Sequence, residues 1–182
     1  MIIRVLFLAI FFIGQAIAQD QLLVVHRKSM RVDLWEEGMR VGTYPIRVGR
    51  DRRKTPIGKG IITEKNDRPI FRYVDPGPNQ GKVVRFSECE GGLVRVDYKK
   101  MRALRMRYTE MAESEKEIRR RNLIPNGEER FSFHSVTCDE TIGEAISKGC
   151  VGLSVPDMLS LFDAVRVDSK KKIYPHFEVR DD

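Results

Sequence analysis

Cys150 stands in Ser147-Lys148-Gly149-Cys150-Val151-Gly152-Leu153, and twelve residues separate Ser147 from His134 upstream. Cysteine attacks carbonyl carbon as the thiolate, and its ordinary pKa is about 8.5, so reaction at neutral pH needs a base or a cation beside it. Histidine is the usual partner, taking the proton or holding an ion pair. Gly149 next to the thiol lets a substrate carbonyl approach closely. The backbone N–H groups of Gly149 and Cys150 suit a developing oxyanion. This pattern is that of acyl transfer through a thioester, with His134 as base. Of the other histidines, His26 lies in a basic strand near the start of the mature chain and His176 in a lysine-rich tail. An isolated cysteine is more often a small buried apolar residue, so on residue chemistry alone both readings stay open.

The environment of the thiol follows from the ends of the chain. Residues 1–18 carry one charge, Arg4, then an apolar run from Val5 to Ile13 and the small residues Ala16 and Ala18 flanking Ile17. This is the layout of a cleaved signal peptide. The run is too short for a spanning helix, which needs about 20 apolar residues. A soluble exported domain over residues 19–182, without stable membrane insertion, is the expectation. Three cysteines in an oxidising compartment leave one over. Cys89 with Cys138 would spare Cys150, whereas Cys138 with Cys150 would silence it, and the sequence leaves both open. The net charge of +7 is concentrated: residues 98–122 hold nine basic and four acidic side chains. An exported protein meets little nucleic acid, so anionic wall polymers or lipid head groups are the better partners for a basic stripe. A solvated helix face is the plain alternative.

The elements that must position this chemistry read mainly as short strands. Leu22–Val25, Arg31–Trp35, Met39–Val48, Gly60–Thr63, Val83–Phe86, Leu93–Val96 and Phe131–Val136 have β character, with turns at Glu37-Gly38 and around Asp75–Gly81. Residues 98–122 are expected to form a long basic helix bordering the cleft, on the spacing of Met101, Leu104, Tyr108, Met111 and Ile118, stopped by Pro125-Asn126-Gly127. A short helical turn over Thr141–Ile146, a helix over Pro156–Phe162 and closing strands at Val165–Val167 and Ile173–Val179 complete the reading. The fold class is mainly β with inserted helices (α+β), of sandwich or barrel type.

Three stretches in order carry a resemblance: Lys54-Thr55-Pro56-Ile57-Gly58-Lys59-Gly60, then Phe133-His134-Ser135, then Ile146 to Leu153 around Cys150. Together they resemble the YkuD-type L,D-transpeptidase catalytic domain, whose cysteine enzymes remodel peptidoglycan, over nearly the whole mature chain. The resemblance implies a YkuD-like β-sandwich or barrel with the 98–122 helix inserted before the histidine. It implies Cys150 as acyl-accepting nucleophile, His134 as base and the Ser135 carbonyl orienting the imidazole. Ser147, Lys148 and Gly149 would shape the substrate and oxyanion site, while Thr55, Pro56 and Gly58 form a supporting turn. It also implies peptidoglycan stem peptides as substrate, carbapenem-type inhibitors, a periplasmic location and neither metal nor organic cofactor. L,D-carboxypeptidase action, with water as acceptor, and a peptidoglycan-binding relative of impaired activity are the alternatives. The chain departs from the family pattern at Lys148, usually histidine, at Gly152, commonly arginine or asparagine, and at Ser135, commonly glycine.

Overall fold

The computed structural model describes residues 21–72, 77–112 and 131–182. The signal-peptide reading of residues 1–18 lies outside them. Strand β1 (Gln21–His26) pairs antiparallel with β2 (Arg31–Glu36), which turns back into β3 (Met39–Pro45). Glu37 and Gly38 form the two-residue loop with φ of 51° and 77°, the positive values that match the right-handed twist of a hairpin. A short β4 (Val48–Gly49) and the long β5 (Gly58–Asn66) follow. The hairpin β6 (Phe86–Cys89) and β7 (Gly92–Arg95) stands apart as a two-stranded sheet. Then come β8 (Ala103–Met111), β9 (Ser132–Ser135), β10 (Ala145–Ser147), β11 (Val151–Leu153), helix α1 (Val155–Ala164) and β12 (His176–Arg180).

Eight strands form one sheet in the order β11-β9-β8-β5-β12-β1-β2-β3. Its two ends nearly meet. The Arg47 N–H, just past β3, donates to the Gly152 carbonyl at 2.8 Å, and the Gly152 N–H returns a bond to the Arg47 carbonyl at 3.0 Å. This pair of bonds makes the sheet a nearly closed barrel and hides the edge of β11, which would otherwise be open to strand pairing. The core fills its inside: Leu23, Val25, Val32, Leu34, Ile62, Leu104, Met106, Phe133, Leu153 and Phe177 are all buried. Helix α1 covers this core with Met158 and Leu161, both wholly buried. Its start is set by Ser154, whose Oγ accepts the Asp157 N–H at 3.2 Å, an N-cap that satisfies one of the helix's orphan donors.

The helix expected over 98–122 is corrected where the structure describes it, because residues 103–111 are β8. Leu104, Met106 and Tyr108 point inward while Arg105, Arg107 and Thr109 face out. That is a period of two, and it competed in the sequence with the three-and-four spacing of Met101, Leu104, Tyr108 and Met111. Pairing with β5 along its length decides between them, including a Glu64–Arg105 ion pair at 3.1 Å across the two strands. Residues 98–100 form a turn, and 113–122 of the predicted helix lie outside the described residues. Two smaller differences occur. Val165 caps α1 instead of opening a strand, and Ala145–Ser147 is strand β10 where a helical turn was expected.

The Cys89–Cys138 disulfide is formed, with Cα atoms 5.4 Å apart, and it ties the β6–β7 hairpin to the stretch after β9. Beside it the Glu90 N–H donates to Glu140 Oε1 at 2.7 Å.

The strand assignment of β8 has a direct consequence for stability. Met106 lies off the helical stripe but deep in the barrel, so Met106→Ala should lower unfolding free energy by about 2–5 kcal/mol in urea titration. Arg107→Ala on the outer face should change it by less than about 1 kcal/mol. Equal, small effects would contradict the strand.

Candidate active site

The nucleophile turn begins with hydrogen bonds made by Ser147. Its Oγ donates to the Cys150 carbonyl at 2.6 Å and accepts the Gly149 N–H at 3.2 Å. Gly149 has φ of 110°, a conformation that residues with a Cβ rarely adopt. The small hydroxyl and the glycine are thus what bends the chain so that Cys150 emerges just before β11. The Gly149 N–H, expected as an oxyanion donor, is spent within this turn. Lys148 sits half-buried at its tip.

The turn is braced from below by the Thr55-Pro56 stretch. The Gly49 N–H donates to buried Thr55 Oγ1 at 3.0 Å, and β4, which contains Gly49, pairs in parallel with β10, which ends at Ser147. The Arg50 N–H reaches the Ser147 carbonyl at 3.0 Å. Tyr108 Oη donates to the Pro56 carbonyl at 2.9 Å, and Arg27 Nη1 to the Thr55 carbonyl at 2.7 Å. The residues between Lys54 and Gly60 therefore carry load for the site without entering it.

The histidine arrives on β9. In the parallel pairing of β9 with β11, His134 stands opposite Gly152 while Phe133 and Ser135 stand opposite Val151 and Leu153. Phe133, Val151 and Leu153 fill the core, so strand alternation puts Ser132, His134, Gly152 and the preceding Cys150 on the other face. Ser132 Oγ lies 3.8 Å from Cys150 Sγ as a hydrogen-bond donor. His134 Nδ1 lies 2.9 Å from the Ser135 carbonyl. A carbonyl can only accept, so Nδ1 carries the proton and Nε2 is left as the basic nitrogen. Ser135 itself is buried, and its Oγ accepts the Arg102 N–H at 3.0 Å. That bond fastens β9 to the segment entering β8.

Two residues that carried no functional assignment in the sequence complete the surroundings. Phe71 stacks obliquely on the His134 ring, with centroids 5.0 Å apart. The Phe71 carbonyl accepts a hydrogen bond from Tyr98 Oη at 3.3 Å. Arg47 packs over Gly152 and donates from Nη1 to Thr141 Oγ1 at 2.9 Å. Neither has a sequence signal, because both lie outside the three motifs and meet His134 and Gly152 only through the barrel.

Electrostatics favour a neutral pair. Burial pushes the Cys150 thiol up, and the Ser132 hydrogen bonds and the Arg47 charge only partly oppose it. Burial, with Arg47 adding to it, pushes His134 down to about 4, against the pull of the Ser135 carbonyl. At neutral pH the resting state is thiol and imidazole, not thiolate and imidazolium.

The first comparison with known proteins is decisive. The family model for the L,D-transpeptidase catalytic domain (YkuD) matches residues 20–173. The chain belongs to the L,D-transpeptidase catalytic-domain family. Enzymes of this family act on peptidoglycan outside the cytoplasm. No curated protein matches the chain at the sequence level. Solved structures share the fold. An L,D-transpeptidase, LdtMt1, in complex with imipenem is 19% identical with a TM-score of 0.58, over 89% of this chain and 59% of that one. An L,D-transpeptidase from Mycobacterium smegmatis is 15% identical with a TM-score of 0.58, over 89% of this chain and 59% of that one. L,D-transpeptidase 3 from Mycobacterium tuberculosis, carrying a faropenem-derived adduct, is 16% identical with a TM-score of 0.58, over 90% and 61%. The chain thus spans about three fifths of the length of these L,D-transpeptidases. Among the described residues no helix is long and apolar enough to cross a membrane. Cys89, Cys138 and Glu140 cluster with metal-ligand spacing, but the disulfide removes both thiolates from ligation.

The depressed basicity of His134 is measurable. Its imidazole proton resonances should titrate with a midpoint near 4, and a midpoint above 6 would contradict the desolvated neutral ring. Between that value and the unfolded one near 6.5 the unfolded chain binds a proton that the folded chain does not. Stability contributed by the neutral ring is therefore full above about 6.5 and is lost as pH falls toward 4. Melting temperature should drop over that window, and less so in His134→Gln.

Proposed function

We propose that the chain is a periplasmic L,D-transpeptidase that forms peptidoglycan cross-links through a thioester on Cys150. The observation that carries this reading is the shared face of β9 and the nucleophile turn. It joins Cys150, Ser132 and a His134 whose Nδ1–H is tied to the Ser135 carbonyl. Export rests on the pattern of residues 1–18.

In the first half-reaction Cys150 Sγ attacks the carbonyl carbon at the L-centre of the diamino acid in a tetrapeptide stem. The thiol proton passes to His134 Nε2, and the carbonyl becomes an oxyanion facing the nucleophile turn. The Gly149 N–H serves that oxyanion by giving up its 3.2 Å bond to Ser147 Oγ. Collapse breaks the peptide bond, and the amine of the terminal D-residue leaves with the proton from His134. In the second half-reaction an amine of another stem loses a proton to His134 and attacks the thioester, and the sulfur leaves as thiol. Ser135 is a positioning residue, acting through its carbonyl on the imidazole. Ser147 shapes the turn, and Lys148 places a cation at its rim. With water in place of the amine the same steps make an L,D-carboxypeptidase.

Incubation with imipenem should add one inhibitor mass to the reduced protein, and Cys150→Ala should abolish the shift. His134→Gln should slow acylation by about 10²- to 10⁴-fold. An unmodified wild-type protein would sink the acyl-enzyme and leave a binding relative. Digestion of a disaccharide tetrapeptide then separates the acceptors by mass. Cross-linked dimer is the expected product, and tripeptide alone would mean hydrolysis.

A further inference from the structure

Ser132 belongs to none of the three motifs, yet its hydroxyl touches the reacting sulfur. Its Oγ lies 3.8 Å from Cys150 Sγ and donates toward it. The local sequence explains how it arrives there. Phe131-Ser132-Phe133-His134 alternates, and Phe131 and Phe133 are both buried in the barrel. Strand geometry then sends Ser132 and His134 to the opposite face together. Backbone bonds hold this setting. The Met106 N–H donates to the Phe131 carbonyl at 2.9 Å, and Ser132 pairs with Arg105 of β8. In the parallel pairing with β11, Phe133 stands opposite Val151, so Ser132 falls level with Cys150, one residue before each.

A hydroxyl donor alters the reactivity of a thiol only if it binds the thiolate better than the thiol. At 3.8 Å the bond to a neutral sulfur is long. Sulfur bearing a full charge draws the same O–H in, because hydrogen bonds to ionised acceptors are shorter and roughly twice as strong as neutral ones. The surroundings make that difference count. Burial opposes a charge on Cys150, and the Ser132 N–H and hydroxyl both act against that opposition. The water that would solvate an exposed thiolate is thus replaced by donors fixed in the strand, which need no reorganisation as the charge appears.

We infer that Ser132 is a catalytic residue whose hydroxyl holds the sulfur of Cys150 whenever it becomes charged, in both half-reactions. This rests on the thioester reading. In the first half-reaction the thiol proton goes to His134 Nε2, while Ser132 keeps its own proton and donates to the forming thiolate. In the thioester the sulfur carries no charge and the bond slackens. In the second half-reaction the C–S bond breaks and its electron pair returns to sulfur. The same hydroxyl stabilises that leaving group until His134 gives it back a proton. The bond strengthens only at the charged stages, so it acts on rate and not on substrate binding.

The test alkylates Cys150 of the full chain, disulfide intact, with iodoacetamide across a pH series and reads the product by intact mass. The rate follows the thiolate fraction. Ser132→Ala should raise the midpoint by about one pH unit, a roughly tenfold slower reaction below it. Ser132→Thr, which keeps the hydroxyl, should stay close to the wild type. Arg47 with Glu144, Lys148 in the nucleophile turn, His134 on β9 and the Arg105–Glu64 pair on β8 and β5 are the charged and titratable groups around the thiol, and all three proteins share them. Acylation by imipenem should slow about tenfold in Ser132→Ala and recover in Ser132→Thr. An unchanged midpoint in Ser132→Ala overturns the assignment, as does a Ser132→Thr protein that behaves like Ser132→Ala. The parent reading is judged separately by the imipenem adduct on the wild-type chain. An adduct together with an unchanged midpoint removes the role of Ser132 alone. A raised midpoint without an adduct keeps the hold of Ser132 on the thiolate and removes the acyl-enzyme.

Discussion

The parallel register between β9 and β11 is the constraint on which the site depends. It sets His134 against Gly152 and leaves Cys150 on the same face, two residues before. Side chains alternate along a strand, so a slip of one residue would send either the histidine or the cysteine into the core. The register is held from the core face and along the edge of β9. Phe133, Val151 and Leu153 are buried in the barrel, and the Ser135 backbone and side chain are bonded to Arg102. Helix α1 starts directly after β11 and is capped by Ser154, so the strand that follows Cys150 is anchored at its far end as well.

Burial of this face sets its electrostatics. Desolvation raises the Cys150 thiol and lowers His134, so neither group ionises spontaneously near neutral pH. Besides burial, Arg47 acts on both, favouring thiolate and opposing imidazolium. The two effects oppose one another in a proton transfer from thiol to imidazole: one makes the thiol more acidic, the other makes the imidazole less basic.

The parts surrounding the site divide into braces and walls. Thr55, Pro56, Arg27 and Tyr108 hold the strand pair β4–β10 under the nucleophile turn. The disulfide holds the β6–β7 hairpin beside the stretch that carries Thr141, and Thr141 in turn holds Arg47. Phe71, tethered through Tyr98, closes over the imidazole. These contacts link segments separated by dozens of residues, which is why a short motif needs a whole barrel to hold its geometry.

Much of this was legible in the residues. Alternation marked β1, β2 and β3, Glu37-Gly38 marked their turn, and Ser147-Lys148-Gly149-Cys150 marked a tight bend, because each depends on local conformational preference. The order of the three motifs was enough to place the chain in its family. Over residues 103–111 local pattern was ambiguous. Met101, Leu104, Tyr108 and Met111 satisfy a helix while Leu104, Met106 and Tyr108 satisfy a strand, and only the partner β5 breaks the tie. Arg47 and Phe71 had no local signature whatever. Their positions arise where the barrel closes and where the disulfide-bound hairpin folds back, and both are long-range events whose energy belongs to no single segment. The sequence by itself determined which residues have the chemistry for acyl transfer. Tertiary structure alone decided that Gly152 leaves a space, that an arginine from the opposite edge of the sheet fills it, and that the thiol and imidazole lie on one face where burial favours their neutral forms.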